Sequence, residues 1–221
     1  MKRFMRHAVR WTGILLGIAI GATFAQVLAL RWFEPQSTAW MRMREREAHE
    51  RQETYTVRHT WTPLAEIPRD LRRAVLEAED GKFYHHHGFD AEAIKAARAR
   101  NERSDEIRRG GSTITQQLAK NLFLSSERTY VRKGREAVIA AVMELLLPKD
   151  RILELYLNSI EFGPGVFGVA AAAEHHFGVP LAKLSRDQCC RLAAIIPAPL
   201  HYHVNGDYVT RRAAQLARQI E

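Results

Sequence analysis

The chain has 221 residues, 46% of them hydrophobic and 26% charged, a composition that excludes a disordered or fibrous protein. With an apolar N-terminal segment set aside, there is room for one domain of ordinary size and no second large one. A formal charge of +8 and a pI of about 9.8 call for an anionic partner: nucleic acid, lipid headgroups or a phosphorylated substrate.

From Trp11 to Leu30 no residue carries a formal charge, and at about 1.5 Å per residue this run can cross a hydrocarbon core of about 30 Å. Lys2, Arg3, Arg6 and Arg10 precede it without an acidic residue. The positive-inside rule then predicts a cytoplasmic N-terminus and a domain on the far side of a single-pass anchor. A cleaved signal peptide is the competing reading, but Thr23 and Ala25 make a poor cleavage site and the apolar run continues past them. Gly13, Gly17 and Gly21 line one face with small residues, which suits self-association or a membrane partner as well as simple tolerance of glycine. The anchor favours lipid over nucleic acid as the anionic partner. The predicted organisation is a cytoplasmic tail over 1–10, an anchor over 11–33, a stalk or linker over 34–66 and a globular domain over 67–221.

Trp32 and Phe33 suit a membrane interface, and Ser37 to Gln52 reads as a polar, charge-alternating helix. Thr54 to Thr62 has β-prone alternation, and Pro68 opens a helix in which Leu71, Ala74, Val75 and Ala78 repeat at helical spacing. That helix delivers Glu79 and Asp80 at its end. A carboxylate there meets the negative end of the helix dipole, which raises its pKa in the direction a general base needs unless neighbouring cations cancel it. An isolated pair would read as a solvated helix end. The spacing Glu-Asp-x-x-Phe-x-x-His-x-Gly, carried by Glu79, Asp80, Phe83, His86 and Gly88, resembles the first motif of the peptidoglycan glycosyltransferases.

Asp90 is predicted to cap the next helix, and Lys95 to Arg109 is dense in arginine, suiting either a solvated loop or a mobile segment beside anionic headgroups. Gly110-Gly111-Ser112-Thr113-Ile114-Thr115-Gln116-Gln117-Leu118-Ala119-Lys120-Asn121 follows. Thr113 with Gln116 forms a capping-box pattern, and the helix start it implies can receive an anion. The lack of Gly-Lys-Ser/Thr excludes a Walker loop, and the whole string resembles the second motif of the same family. On the helix predicted from Tyr130 to Leu147, Arg132, Glu136, Ala140 and Glu144 share a face with Lys133 beside them. An ordinary surface ion pair would look the same, but Arg-Lys-x-x-Glu resembles the family's third motif.

Lys149 to Asn158 is a further helix with Asp150 as its predicted cap, and its resemblance is to the fourth motif. Gly163, Gly165 and Gly168 then break the chain before an alanine-rich helix, and no strand is expected before Gly163. Ser185 and Gln188 form another capping box into a helix ending near Pro197; family members usually carry an acidic residue at the Gln188 position. Adjacent Cys189 and Cys190 cannot pair with each other without strain and read as core, with intermolecular pairing open in an oxidising compartment. No set of histidines has metal-ligand spacing, so no metal site is assigned.

The resemblance covers roughly Leu71 to Pro199. It implies a mainly α, lysozyme-like helical glycosyltransferase domain behind an N-terminal transmembrane helix, without a transpeptidase domain. It also implies polymerisation of glycan from lipid II, by transfer of the growing chain from undecaprenyl pyrophosphate to the 4-hydroxyl of the acceptor sugar with inversion. Glu79 and Glu136 are the implied catalytic residues, Glu79 as base and Glu136 as organiser of cations or donor. The implied substrate contacts are Asp80, Phe83, His86, Gly88, Gly111, Ser112, Thr113, Gln116, Gln117, Lys120, Asn121, Arg128, Arg132 and Lys133, with the basic members on the leaving pyrophosphate. A divalent cation, Mg or Mn, stays open as cofactor, as do cell-wall synthesis or division proteins as partners. The implied location is the bacterial inner membrane with the domain in the periplasm. The alternatives are a membrane-anchored cell-wall scaffold and a lytic glycan-cleaving enzyme; the cation set argues against the second.

Overall fold

The computed structural model describes residues 2–101, 111–127 and 129–221, with the side chains of 2–9, 12, 15, 16, 19, 98, 100 and 101 outside that description. Arg128 and most of the arginine-rich segment expected near headgroups therefore lie outside the described residues. The fold is mainly helical, as expected.

The chain begins with α1 (Lys2–Ala29) and α2 (Ala39–Glu50). Among the described residues no helix is long and apolar enough to cross a membrane. Thr12, Leu15, Leu16 and Ala19, whose side chains are not described, fall within the expected anchor. The end of α1 is fixed to the domain: Val27 and Leu30 join the core, and Arg151 donates to the carbonyls of Leu30 at 2.7 Å and Phe33 at 2.9 Å. The polar helix expected in the stalk is packed as well. Met41 and Met43 of α2 are buried, and Arg44 reaches across to Glu161 with bonds of 3.0–3.2 Å.

After a short strand β1 (Arg58–His59), α3 (Arg69–Glu79) starts behind Pro68 and buries Leu71, Ala74 and Val75, one face at helical spacing. Next come α4 (Ala91–Asn101), α5 (Ile114–Phe123), α6 (Tyr130–Leu146) and α7 (Lys149–Ser159). Asp90 caps α4 as predicted, accepting from the amides of Glu92 and Ala93. The cap predicted at Asp150 is a correction: Pro148 takes that position, and Asp150 instead accepts from the Tyr84 hydroxyl at 2.9 Å. Proline suits a helix start because its missing N–H would be unpaired there anyway.

A strand does precede the second of the three glycine turns. β2 (Glu161–Gly163) turns back into β3 (Val166–Phe167), which pairs antiparallel with β2 and parallel with β1 in the order β1-β3-β2. Strands this short leave no periodicity to read. Gly165 makes the turn at φ 72°, where a Cβ would come within 2.4 Å of the Thr56 carbonyl. The chain finishes with α8 (Val169–Phe177), α9 (Arg186–Ile195) and α10 (Asp207–Gln219).

Two packed groups of helices result. α5 lies against α2, α6 and α7, with Ile114, Leu118 and Ala119 fully buried, while α9 packs between α3 and α10. Cys189 and Cys190 are buried and unpaired in α9, and burial raises their pKa to about 12 and about 11. Asn158 joins α7 to the extended segment: its amide oxygen accepts from the Thr62 amide at 2.8 Å and its nitrogen donates to the Thr62 carbonyl at 2.9 Å.

Candidate active site

The last turn of α3 separates two adjacent carboxylates. Asp80 leaves helical geometry at φ −162° and ψ 71°, turning its side chain into the protein while Glu79 remains on the last helical turn. Asp80 is 8% exposed. Its carboxylate lies 2.8 and 3.0 Å from His86 Nε2 and accepts from the backbone amide of Ile114 at 3.0 Å.

The bond to Ile114 bears on the anion site expected at the start of α5. Thr113 Oγ1 accepts from the Gln116 amide at 3.3 Å, and Gln116 Oε1 accepts from the Thr113 amide at 3.0 Å, so the predicted capping box forms. Thr113 also donates to the Gly88 carbonyl at 2.7 Å. The amides of Ile114 and Gln116 are thus already occupied. Asp80 sits where an anion would bind, so Asp80, His86, Thr113 and Gln116 form a support beneath the site. Phe83 is core, 1% exposed, with the Lys149 ammonium 4.4 Å above its ring. Gly88 has φ 84°, and a Cβ there would sit 3.0 Å from the Glu144 side chain, so its absence lets the loop lie against α6.

Glu79 is partly accessible, and its Oε2 accepts from Gln117 Nε2 at 2.8 Å. The other end of that amide accepts from the Tyr156 hydroxyl at 3.0 Å. Burial pushes the Glu79 carboxyl above the ordinary carboxylate range; the bond from Gln117 and the charges of Arg212 and Lys120 oppose the shift, and the Asp80 charge adds to it. The direction is the one expected from the helix dipole, but withdrawal from water is the main cause. Tyr156 is fully buried, and its hydroxyl is pushed well above the ordinary phenol range by burial and by the charges of Glu79 and Asp80.

The second glutamate has a different environment. Glu136 is 3% exposed and is bound by Arg132 Nη1 at 2.7 Å and by the Lys133 ammonium. Lys133 also lies 3.3 Å from Ser112 Oγ, which ties α6 to the glycine turn before α5. Two cations against one carboxylate leave a net positive charge at this point. On α5, Lys120 sits 4.8 Å above the Trp40 ring. Trp40 Nε1 donates to Glu161 Oε2 at 3.0 Å, and Arg44 stacks 5.3 Å from the same ring. Asn121 is buried, and Gly111 lies where a Cβ would meet Ala97 at 3.3 Å. Among the described residues no three His, Cys, Asp or Glu side chains converge as metal ligands.

Of the residues singled out in the sequence, the structure brings Glu79 and Gln117 into contact, groups Glu136 with Arg132, Lys133 and Ser112, and turns Asp80, Phe83, His86, Thr113 and Gln116 inward. Tyr156, Arg212 and Trp40 went unassigned. Tyr156 lies in a stretch legible as core, Arg212 lies beyond the last motif, and Trp40 lies in a run that looked like a stalk.

The transglycosylase family model matches residues 45–221. The biosynthetic peptidoglycan transglycosylase of Pseudomonas entomophila is 47% identical over 213 residues, covering 96% of this chain and 89% of that protein. The protein of the same description from Burkholderia pseudomallei is 42% identical over 224 residues, covering 97% and 88%. That from Aeromonas hydrophila is 43% identical over 217 residues, covering 97% and 91%.

Proposed function

The chain belongs to the transglycosylase family and is a peptidoglycan glycosyltransferase; from that premise we propose that Glu79 is the general base of glycan polymerisation and that Glu136 organises the cations that receive the leaving group. The family implies lipid II as substrate. The contrast between the two glutamates carries the reading: Glu79 accepts from a neutral amide at a partly accessible helix end, whereas Glu136 is buried beneath Arg132 and Lys133.

In the displacement, the acceptor's 4-hydroxyl oxygen forms a bond to the anomeric carbon of the growing glycan while the bond from that carbon to undecaprenyl pyrophosphate breaks. The hydroxyl is a weak nucleophile until its proton is taken, and Glu79 takes it as the new bond forms. A carboxylate whose pKa is raised by burial is a stronger base than one in water, provided the pH keeps it ionised. The departing pyrophosphate gains negative charge, which Lys120, Arg132 and Lys133 stabilise, with Arg128 as a further candidate. One displacement inverts the anomeric centre.

We place this lysozyme-like domain on the periplasmic face of the bacterial inner membrane, held by α1 with its N-terminus in the cytoplasm. Trp11, Ile14, Ile18, Ile20, Phe24 and Leu28 are exposed along α1, and such an apolar surface calls for lipid.

The full chain in detergent, given labelled lipid II, is expected to form long glycan that separates by size, and Glu79→Gln is expected to form none while keeping its circular dichroism and melting temperature. Normal polymer from the folded variant would remove Glu79 as base. Shortening of purified sacculi would point to a lytic enzyme instead.

A further inference from the structure

The hydrogen bonds at Glu79 run one residue beyond the groups assigned to the reaction. Gln117 on α5 lies between Glu79 at the end of α3 and Tyr156 on α7, so three helices meet along one line. A glutamine amide has two ends of nearly equal shape and opposite hydrogen-bonding character. Which end faces Glu79 depends on what the far end meets. The Tyr156 hydroxyl carries one proton, and directing it at Gln117 Oε1 leaves the amide N–H groups toward Glu79. In the reverse orientation an amide oxygen would face the carboxylate, and contact would survive only if Glu79 held a proton.

Building on the assignment of Glu79 as base, we propose that Tyr156 is a positioning residue: acting through Gln117, it fixes the donor end of the amide on Glu79 and so keeps the carboxylate aimed and ionised for the acceptor's proton. The other charged or titratable groups facing Glu79 are Arg212 and Tyr208 from α10, Lys120 from α5 and Asp80 from its own turn. Arg212 and Lys120 favour the ionised form and Asp80 opposes it. Tyr156→Phe changes none of these groups, and the Gln117→Leu background separates the contribution made through Gln117 from a direct effect of the tyrosine on Glu79.

Two readouts on the full chain test this: the carbon-13 titration of the Glu79 carboxyl, assigned with Glu79→Gln, and the pH dependence of kcat/KM with lipid II. In Tyr156→Phe, Glu79 is expected to titrate about 0.5 to 1 pH unit higher, the size of one neutral hydrogen bond. On a Gln117→Leu background the same substitution is expected to add nothing. A purely structural role would lower the melting temperature without moving the titration. An unmoved titration in folded Tyr156→Phe would overturn the proposal, as would an equal rise on the Gln117→Leu background, because the tyrosine would then act directly. Should Tyr156→Phe not fold, fluorotyrosine at position 156 keeps the ring and is a stronger donor. It is expected to lower the Glu79 titration, and no movement would overturn the proposal. If the titration rises in Tyr156→Phe while the acid limb of kcat/KM stays in place, Tyr156 still acts on Glu79 through Gln117, but Glu79 is not the base.

Discussion

Glu79 and Asp80 differ in surroundings because the backbone leaves the helix between them: Asp80 turns inward to His86 and the Ile114 amide, and Glu79 stays on the last turn facing Gln117. The sequence placed both carboxylates at a helix end, and resemblance distinguished the first as base. Folding sets the surroundings of Glu79: burial raises its pKa, and Gln117 and Lys120 of α5 and Arg212 of α10 act against that rise. Lys120 favours ionised Glu79 through its charge, and the proposed mechanism also gives it a place at the leaving group. Lys120→Ala is therefore expected to lower kcat by about 10- to 100-fold. It is also expected to move the acid limb of the profile to higher pH, because losing a nearby positive charge raises a carboxyl pKa. Initial rates on labelled lipid II across pH measure both effects, and an unchanged rate would take Lys120 out of the donor site.

The start of α5 is where most of the motif residues converge. Thr113 accepts from Gln116, donates to Gly88 and closes the capping box, so one hydroxyl ties the glycine turn to the loop after α3. Thr113→Ala is expected to cost about 1–2 kcal/mol in urea or thermal unfolding, with Thr113→Ser restoring most of it; a cost near zero would mean that Asp80 alone holds this helix start. The capping boxes at Thr113 and Ser185 were legible because a short side-chain pattern sets the local backbone, whereas the one at Thr38, closed by Met41, lacks the usual Glu or Gln. The helix Asp207–Gln219 went unread: Val209, Ala213 and Leu216 recur at helical spacing, but no motif drew attention to it. The packing of α2 was not legible. Its charged residues give a polar average, and the partner that receives both Arg44 and Trp40 while Met41 and Met43 are buried is Glu161, far along the chain.

Across the whole molecule, α1 is joined to the domain by Arg151, which grips the Leu30 and Phe33 carbonyls and stacks 5.2 Å from Trp61. With apolar side chains exposed along α1, the chain expressed in bacteria is expected to remain with the membrane pellet after an alkaline carbonate wash. Recovery in the supernatant would refute the spanning anchor. Such a docked helix would hold the catalytic domain close to the bilayer, where lipid-linked substrates lie. By itself, the sequence determined the helical class, the helix starts capped at Asp90, Thr113 and Ser185, the apolar N-terminal run and the motif residues. These follow from local backbone preference and from spacing along one segment. Only tertiary structure decided which motif residues turn inward, which of them meet one another, and how far Glu79 is withdrawn from water. It also brought in Tyr156, Arg212 and Trp40. Burial and electrostatic surroundings are sums over atoms from segments far apart in the chain, and they come into being only when those segments pack.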